Sequence, residues 1–220
     1  MPRPLTPIEV RVLGCFIEKQ LATPDAYPLT LNSLVAACNQ KSNRDPETAL
    51  SDADVLRAVD ALRVEKLALL VHVAGSRVAK YEHNLAVSLP LPKAPLAVLC
   101  ELLVRGPQTV GELRGRASRM YPLATPAEVE AALALLAAHN PPLVVKLPIQ
   151  PGRKEPRFCQ LLGGEPGADL LNPAPMPEPV RLQIVRDDTR LATLEAEVAA
   201  LRAELATVRT QLDEVRALLK

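Results

Sequence analysis

Residues 5–83 recur in shortened form at residues 94–161, and this internal repeat dictates an architecture of two matched modules before any motif is weighed. Val12-Leu13-Gly14-Cys15 aligns with Val98-Leu99-Cys100-Glu101, and Thr30-Leu31-x-x-Leu34 with Thr109-Val110-x-x-Leu113. Further on, Ser51-x-x-Asp54-Val55 aligns with Thr125-x-x-Glu128-Val129. The offset shrinks along the chain, so the first copy has the longer connections. Each copy reads helix, helix, helix, hairpin. That is the order of a winged helix-turn-helix, a unit that binds nucleic acid in most settings and docks proteins in others.

Composition excludes several classes. At 220 residues the chain has room for two modules of about 80 residues each. No apolar run approaches the ~18 residues of a membrane span. The opening MPRPLTPIEVRV has no apolar core behind its charges, so a cytoplasmic location is expected. Cys15, Cys38, Cys100 and Cys159 stand apart in apolar surroundings without C-x-x-C spacing, the pattern of reduced, buried thiols. His72, His83 and His139 are equally scattered and show no metal-ligand spacing. G-x-S-x-G, H-E-x-x-H and a phosphate-cradling glycine loop with its lysine are all missing. The expectation is a chain without enzymatic activity, cofactor or metal.

The fold class expected is mainly α with small β-hairpins: two tandem winged helices followed by a coiled-coil helix. In the first module, residues 1–88, Thr6 caps a helix that runs to about Lys19, with Pro7 at its first position and Glu9 at its third. Its apolar face is Ile8, Val12, Cys15 and Phe16. Thr30 opens a second helix with Leu31, Leu34, Val35 and Cys38 as its stripe. Ser51 caps a third helix with Val55, Ala58, Val59 and Leu62 in the core and Arg57, Asp60 and Arg63 left for water or a partner. Strands over 67–73 and 77–83, joined at Ala74-Gly75-Ser76, make the wing. In the second module, residues 89–165, Leu96, Leu99, Leu102 and Leu103 line a helix ending at Arg105-Gly106. Thr109 caps a short basic helix, and Thr125 with Glu128 opens a third through a capping box whose stripe is Val129, Ala132, Leu133 and Leu136. Strands over 143–147 and 157–161 flank the loop 150–155. The Pro- and Gly-rich residues 166–181 read as an extended, semi-rigid spacer.

In residues 182–220 the apolar positions Leu191, Leu194, Val198, Leu201, Leu205, Val208, Leu212, Val215 and Leu219 alternate steps of three and four, which is a heptad seam. With Leu191 at position a, a parallel pair sets Arg190 against Glu195, Glu197 against Arg202, and Glu204 against Arg209. All three attract. An antiparallel pair sets Arg202 against Arg209 and Glu197 against Glu204, which repel. A parallel homodimer is favoured over a helix that packs on its own modules or stands alone, and the mixed Leu and Val leave the strand number open.

Candidate nucleic-acid contacts cluster in the turn Asn39-Gln40-Lys41-Ser42-Asn43-Arg44, where a helix-turn-helix meets its ligand. Lys41 and Arg44 suit phosphates; Asn39, Gln40 and Asn43 suit base edges, and equally suit bonds within their own loop. Arg77 and Lys80, beside the wing, extend the patch. In the second module the basic groups are Arg114, Arg116 and Arg119 on the second helix and Arg153, Lys154 and Arg157 at the wing. Residues 125–138 carry Glu128 and Glu130 but no Lys or Arg, which argues against that helix entering a major groove. The first module has as many acidic as basic groups and the second only a small basic excess, unlike a dedicated nucleic-acid binder. The first function expected is a transcriptional regulator binding double-stranded DNA, led by Lys41, Asn43, Arg44 and Arg77; the alternative is an adaptor or scaffold whose winged helices dock proteins.

The runs RVLGCFIEKQ (Arg11 to Gln20), TPDAYPLTLNSL (Thr23 to Leu34), ACNQKSNRDP (Ala37 to Pro46), GSRVAKYEH (Gly75 to His83) and RGPQTVGELRGRASRMY (Arg105 to Tyr121) resemble the YceH-like family of bacterial proteins. The resemblance spans both modules and implies two tandem winged helices. It supplies no catalytic residue. The spacer departs from the family pattern in its proline content.

Overall fold

The computed structural model describes residues 3–72 and 78–171 and, further on, residues 190, 197, 198, 202, 205 and 209. Met1–Pro173 forms one compact unit and Ala174–Lys220 a second. The first unit is mainly helical with small antiparallel sheets. It opens with α1 (Pro7–Ala22), a 3-10 turn (Pro24–Ala26), β1 (Leu29–Thr30), α2 (Leu31–Cys38) and α3 (Asp52–Val64). The strands β2 (Ala68–Val71) and β3 (Lys80–His83) and a short α4 (Leu85–Ser88) follow. The order of helices and strands then returns as α5 (Lys93–Arg105), α6 (Val110–Ala117), α7 (Pro126–Ala137), β4 (Val144–Lys146) and β5 (Phe158–Gln160), with α8 (Ala168–Leu171) at the end.

Local chemistry sets most helix ends. The Thr6 hydroxyl accepts from the Glu9 N–H at 3.3 Å while the Glu9 carboxylate accepts from the Thr6 N–H at 2.9 Å, satisfying two donors that a helix start leaves orphaned. Ser51 with Asp54 and Thr109 with Glu112 repeat this box. α7 departs from expectation: Thr125 accepts from the Glu128 N–H, but the Glu128 carboxylate reaches back to the Ala124 N–H at 3.0 Å and leaves the box open. α1 runs past Lys19 because Thr23 closes it, donating from both its N–H (3.0 Å) and its hydroxyl (3.2 Å) to the Lys19 carbonyl. Gly106 ends α5 at φ 70, a left-handed backbone that glycine adopts without strain.

The hairpin strands are shorter than expected, and residues 73–77, which include the turn and Arg77, lie outside the described residues. A third strand joins them: β1 pairs with β3 through Leu29 opposite Tyr81 and Thr30 opposite Lys80. In the second module an isolated bridge between Gln108 and Phe158 occupies the matching place, since Thr30 aligns with Thr109. His83 ends β3 in a buried pocket. The Leu85 N–H donates to its Nδ1 at 3.2 Å, which puts the proton on Nε2, 2.7 Å from Gln20 Oε1. Burial lowers His83 from 6.5 to about 4. Between those values the unfolded chain takes up the proton first, so stability falls as pH drops from 6.5 to about 4. The expected loss is about 3 kcal/mol. Urea melts across that window check it, and a His83→Gln chain should show a flatter profile.

The core is centred on α1 and α5. Residues Glu9 to Glu18 of α1 and Pro95 to Val104 of α5 are buried on every side, because each helix packs on its own module and on the other. The Cys100 thiol donates to the Gly14 carbonyl at 3.3 Å, and these residues lie 86 apart, the separation that relates Val12 to Val98. Positions equated by the repeat therefore touch each other, so α1 and α5 meet at matching points along their lengths. Glycine permits this approach: a Cβ at position 14 would lie 2.7 Å from a Val104 methyl and 3.0 Å from the Leu103 Cβ. Gly14→Ala is expected to cost about 1 to 3 kcal/mol, measurable as a lowered denaturation midpoint.

The spacer needs correction at its start. Leu5 N–H bonds the Leu162 carbonyl at 2.8 Å, and Gln150 Nε2 donates to Leu170 O at 2.8 Å, so residues up to Leu171 belong to the first unit, with α8 helical rather than extended. In the second unit the described residues Arg190, Glu197, Val198, Arg202, Leu205 and Arg209 are helical and exposed. The other seam positions, Leu191, Leu194, Leu201, Val208, Leu212, Val215 and Leu219, lie outside the described residues.

Candidate functional site

The polar turn after α2 faces inward. Arg44 is fully buried at its side chain and clasps Glu18 of α1 with both terminal nitrogens, one at 3.1 Å. Its Nε donates to Ala37 O at 2.9 Å. Glu18 Oε1 also takes Arg119 Nη1 at 2.6 Å, and Arg119 Nη2 bonds Glu101 Oε1 at 2.8 Å. Arg105 sets its Nε 3.4 Å from Glu101 Oε2 and donates from Nη2 to Asn43 Oδ1. The Asp45 N–H meets the Val104 carbonyl at 3.0 Å. One chain of alternating charge therefore runs from the loop of the first module through α1 and α5 to the segment after α6. It locks the two modules together.

Burial pushes the Glu18 carboxyl up, yet the Arg44 and Arg119 guanidiniums outweigh it and hold it below the usual carboxylate range. Arg119 is likewise raised, because Glu101 and Glu18 overcome its desolvation. Among the described residues Glu101 Oε2 and Arg105 Nε are buried without a hydrogen-bond partner, so the direct Glu101–Arg105 contact is held by charge alone. Two-pronged guanidinium–carboxylate contacts are directional as well as strong, which fixes the relative rotation of the modules.

This geometry corrects part of the sequence reading. Arg44 offers no charge to an external phosphate, because it is buried against Glu18. Asn43, at φ 61, is taken by Arg105. Asn39 closes its own loop, accepting from the Leu50 N–H and donating to the Leu50 carbonyl, both at 2.8 Å. Gln40 is half-buried and Lys41 exposed. Lys80 is half-buried on β3. Arg116 donates to Gln108 Oε1 at 2.8 Å and pairs with Glu112 at 3.6 Å, as a helical i, i+4 pair would. Arg157 bonds Pro107 O at 3.1 Å, and Arg119 is held as described. Arg114, Arg153 and Lys154 are exposed. The structure thus brings Arg44, Asn43 and Arg119 into one place, at the seam between modules and not on an outer face.

Glu18, Glu101 and Arg105 are the residues that sequence reasoning passed over. One signal was available: the repeat sets Glu101 at the position of Cys15, a carboxylate where the helical pattern calls for core. A cavity of about 460 Å³ lies between the N-terminal segment and the turn after α7, lined by Arg3, Leu67, Leu89, His139, Leu143 and Leu162. Its cation is spent, since Arg3 pairs with Glu9 at 2.8 Å and Glu65 at 3.3 Å. Among the described residues no His, Cys, Asp or Glu side chains gather in a metal-binding group, and no helix is long and apolar enough to cross a membrane.

Residues 5–153 match the family model described as "Protein of unknown function, DUF480". The chain is 55% identical over 194 residues to a UPF0502 protein of Geobacter sulfurreducens, covering 88% of each. It is 59% identical over 158 residues to one of Citrifermentans bemidjiense, covering 72% of this chain and 73% of that one. Against one of Opitutus terrae the identity is 51% over 177 residues, covering 80% and 77%. The matched span takes in α1, the inward-turned loop and α5 to α7, the elements that form the module seam, and on that evidence the chain belongs to the DUF480 (UPF0502) family, consistent with the YceH-like resemblance of its sequence.

Proposed function

We propose that this chain is a self-associating, tandem winged-helix adaptor that docks a protein through the outward face of α7. In this reading α3 and α7 are the third helices of two winged helices. The observation that carries it is their charge. On α3 the exposed Arg57 and Arg63 are paired with Asp54 and Asp60 one turn back. α7 turns Glu128, Glu130, Ala131, Ala134 and Leu135 outward, with Leu135 56% exposed. Neither helix offers an uncompensated cation to a major groove. An apolar strip with carboxylates at one end suits an aliphatic partner surface flanked by Lys or Arg.

Self-association is assigned to the tail. Val198 and Leu205 are exposed in the single chain at 44% and 52%, and both fall on the heptad seam, which supports a parallel pair that would cover them. Deleting residues 182–220 is expected to turn a dimer into a folded monomer by light scattering. An unchanged mass would remove this part of the proposal.

The DNA reading retains one specific support. Lys41, Arg114 and Arg153 are exposed and have no carboxylate partner among the described residues. Two measurements separate the readings. Affinity capture after nuclease treatment should retain a partner that is lost when Ala131 and Leu135 are both changed to Arg, a surface change that leaves the core untouched. Fluorescence anisotropy with random duplex should show no binding at low salt. Duplex binding whose log-log salt slope falls by about one unit for each of Lys41→Ala and Arg114→Ala would transfer the function to DNA.

A further inference from the structure

The cavity between the N-terminal segment and the turn after α7 is walled by both modules: Arg3, Leu67 and Ser88 come from the first, and His139, Leu143 and Leu162 from the second. At about 460 Å³ it has the volume of a small-molecule site. Its inner wall is aliphatic, since Leu67, Leu89, Leu143 and Leu162 are buried and all line it. Backbone fixes one side. The Leu5 N–H bonds the Leu162 carbonyl at 2.8 Å, and Gly164 turns at φ 98 against Pro4, whose Cβ lies 3.4 Å from where a Gly164 Cβ would stand.

The polar groups around this wall favour one sign of ligand. Arg3 and Glu165 are the charged side chains that line the cavity, and Lys66, next to Leu67 in sequence, does not. Every nitrogen of Arg3 is engaged: Nη1 and Nη2 with Glu9 at 2.8 and 2.9 Å, Nη1 also with Pro4 O at 3.0 Å, and Nε with Glu65 at 3.3 Å. Two carboxylates thus face one guanidinium and leave the local charge negative. The exposed Glu165 carboxylate, without a partner among the described residues, adds to it. His139 Nδ1 donates to Pro141 O at 2.8 Å, so Nε2 of the neutral ring is left to accept. Ser88 Oγ donates to Asn84 O at 3.0 Å and keeps its lone pairs. Asn140 can donate or accept and does not discriminate. A carboxylate, an imidazole nitrogen and a hydroxyl oxygen therefore stand as acceptors around an aliphatic wall.

We propose that this cavity binds a small primary amine with an apolar body, an arylalkyl- or alkylamine, with its ammonium at Glu165 and its body on the leucines. An ammonium brings positive charge and three donors to a site rich in acceptors. An anion finds the Arg3 donors taken and is repelled by Glu165, while a purely apolar molecule leaves the acceptors unused. No residue of the outward α7 face lines the cavity, so the site stands apart from the docking surface. Because both modules supply its walls, an occupant stabilises them together, and the denaturation midpoint rises with amine concentration.

The test uses the full-length chain with tryptamine as the probe. The chain contains no Trp, so indole emission reports the probe alone, and its anisotropy should rise saturably with protein concentration. Tryptophol and indole-3-propionate carry the same ring with a hydroxyl or a carboxylate in place of the amine. The first should bind about five-fold more weakly and the second not measurably. Glu165→Gln, an isosteric change at an exposed residue, should weaken tryptamine by the same factor and leave tryptophol unaffected. Leucine-methyl NMR spectra locate the probe: Leu67, Leu89 and Leu143 should shift on titration while Leu34 of α2 and Leu113 of α6 stay in place. Equal affinity for the three probes, tryptamine binding unchanged in Glu165→Gln, shifts confined to leucines outside the cavity, or no saturable binding at all would overturn the proposal.

Discussion

Glu18→Ala is expected to lower the unfolding free energy by about 3 to 5 kcal/mol at neutral pH. The carboxylate compensates two guanidiniums, and removal leaves Arg44, whose side chain has no exposure, charged and unpaired in the core. Most of the loss comes from Arg44. Arg119 is 32% exposed at its side chain, still holds Glu101, and is partly screened by water. Urea denaturation measures the effect. Glu18→Ala and Arg44→Ala together should cost well below the sum of the two single changes, because each alone leaves the other's buried charge without its partner. A loss under about 1 kcal/mol for Glu18→Ala would mean that the seam is hydrated and that the ion chain does not hold the modules.

Leu62→Ala and Leu136→Ala should each cost about 2 to 5 kcal/mol, in matching fashion. Both side chains are fully buried, and both residues occupy the last turn of their helix. The carbonyl of each accepts from the residue just before the following strand: Leu67 N–H to Leu62 at 2.8 Å, and Leu143 N–H to Leu136 at 3.0 Å. The same knob thus fills the same place under each hairpin. Truncation removes transfer energy and opens a cavity that the surrounding helices close only in part. Denaturant melts of the two single variants are the measurement, and a negligible shift in one of them would break the equivalence of the two copies.

The order of elements was legible in the sequence because its signals are local. A capping box is complete within four residues, as at Thr6 and Glu9, and Gly106 ends α5 through its own backbone freedom. The repeat was legible for the same reason, since matching three-residue patterns need no knowledge of what packs on them. The extra strand β1 was hidden because two residues show no periodicity and pair only when β3 arrives beside them. The faces of α1 and α5 were hidden for a related reason: a helix in contact with two modules is buried all round, and a single apolar stripe shows half of that.

The fate of the polar turn was decided by tertiary structure alone. Lys41 and Arg44 are three residues apart and chemically alike as phosphate ligands, yet one lies in water and the other against Glu18. Whether a guanidinium faces solvent depends on which carboxylate the fold delivers, and Glu18 reaches Arg44 across 26 residues of chain. Sequence fixes the inventory of charges; packing of α1 on α5 determines which of them cancel inside and which remain outside to meet a partner.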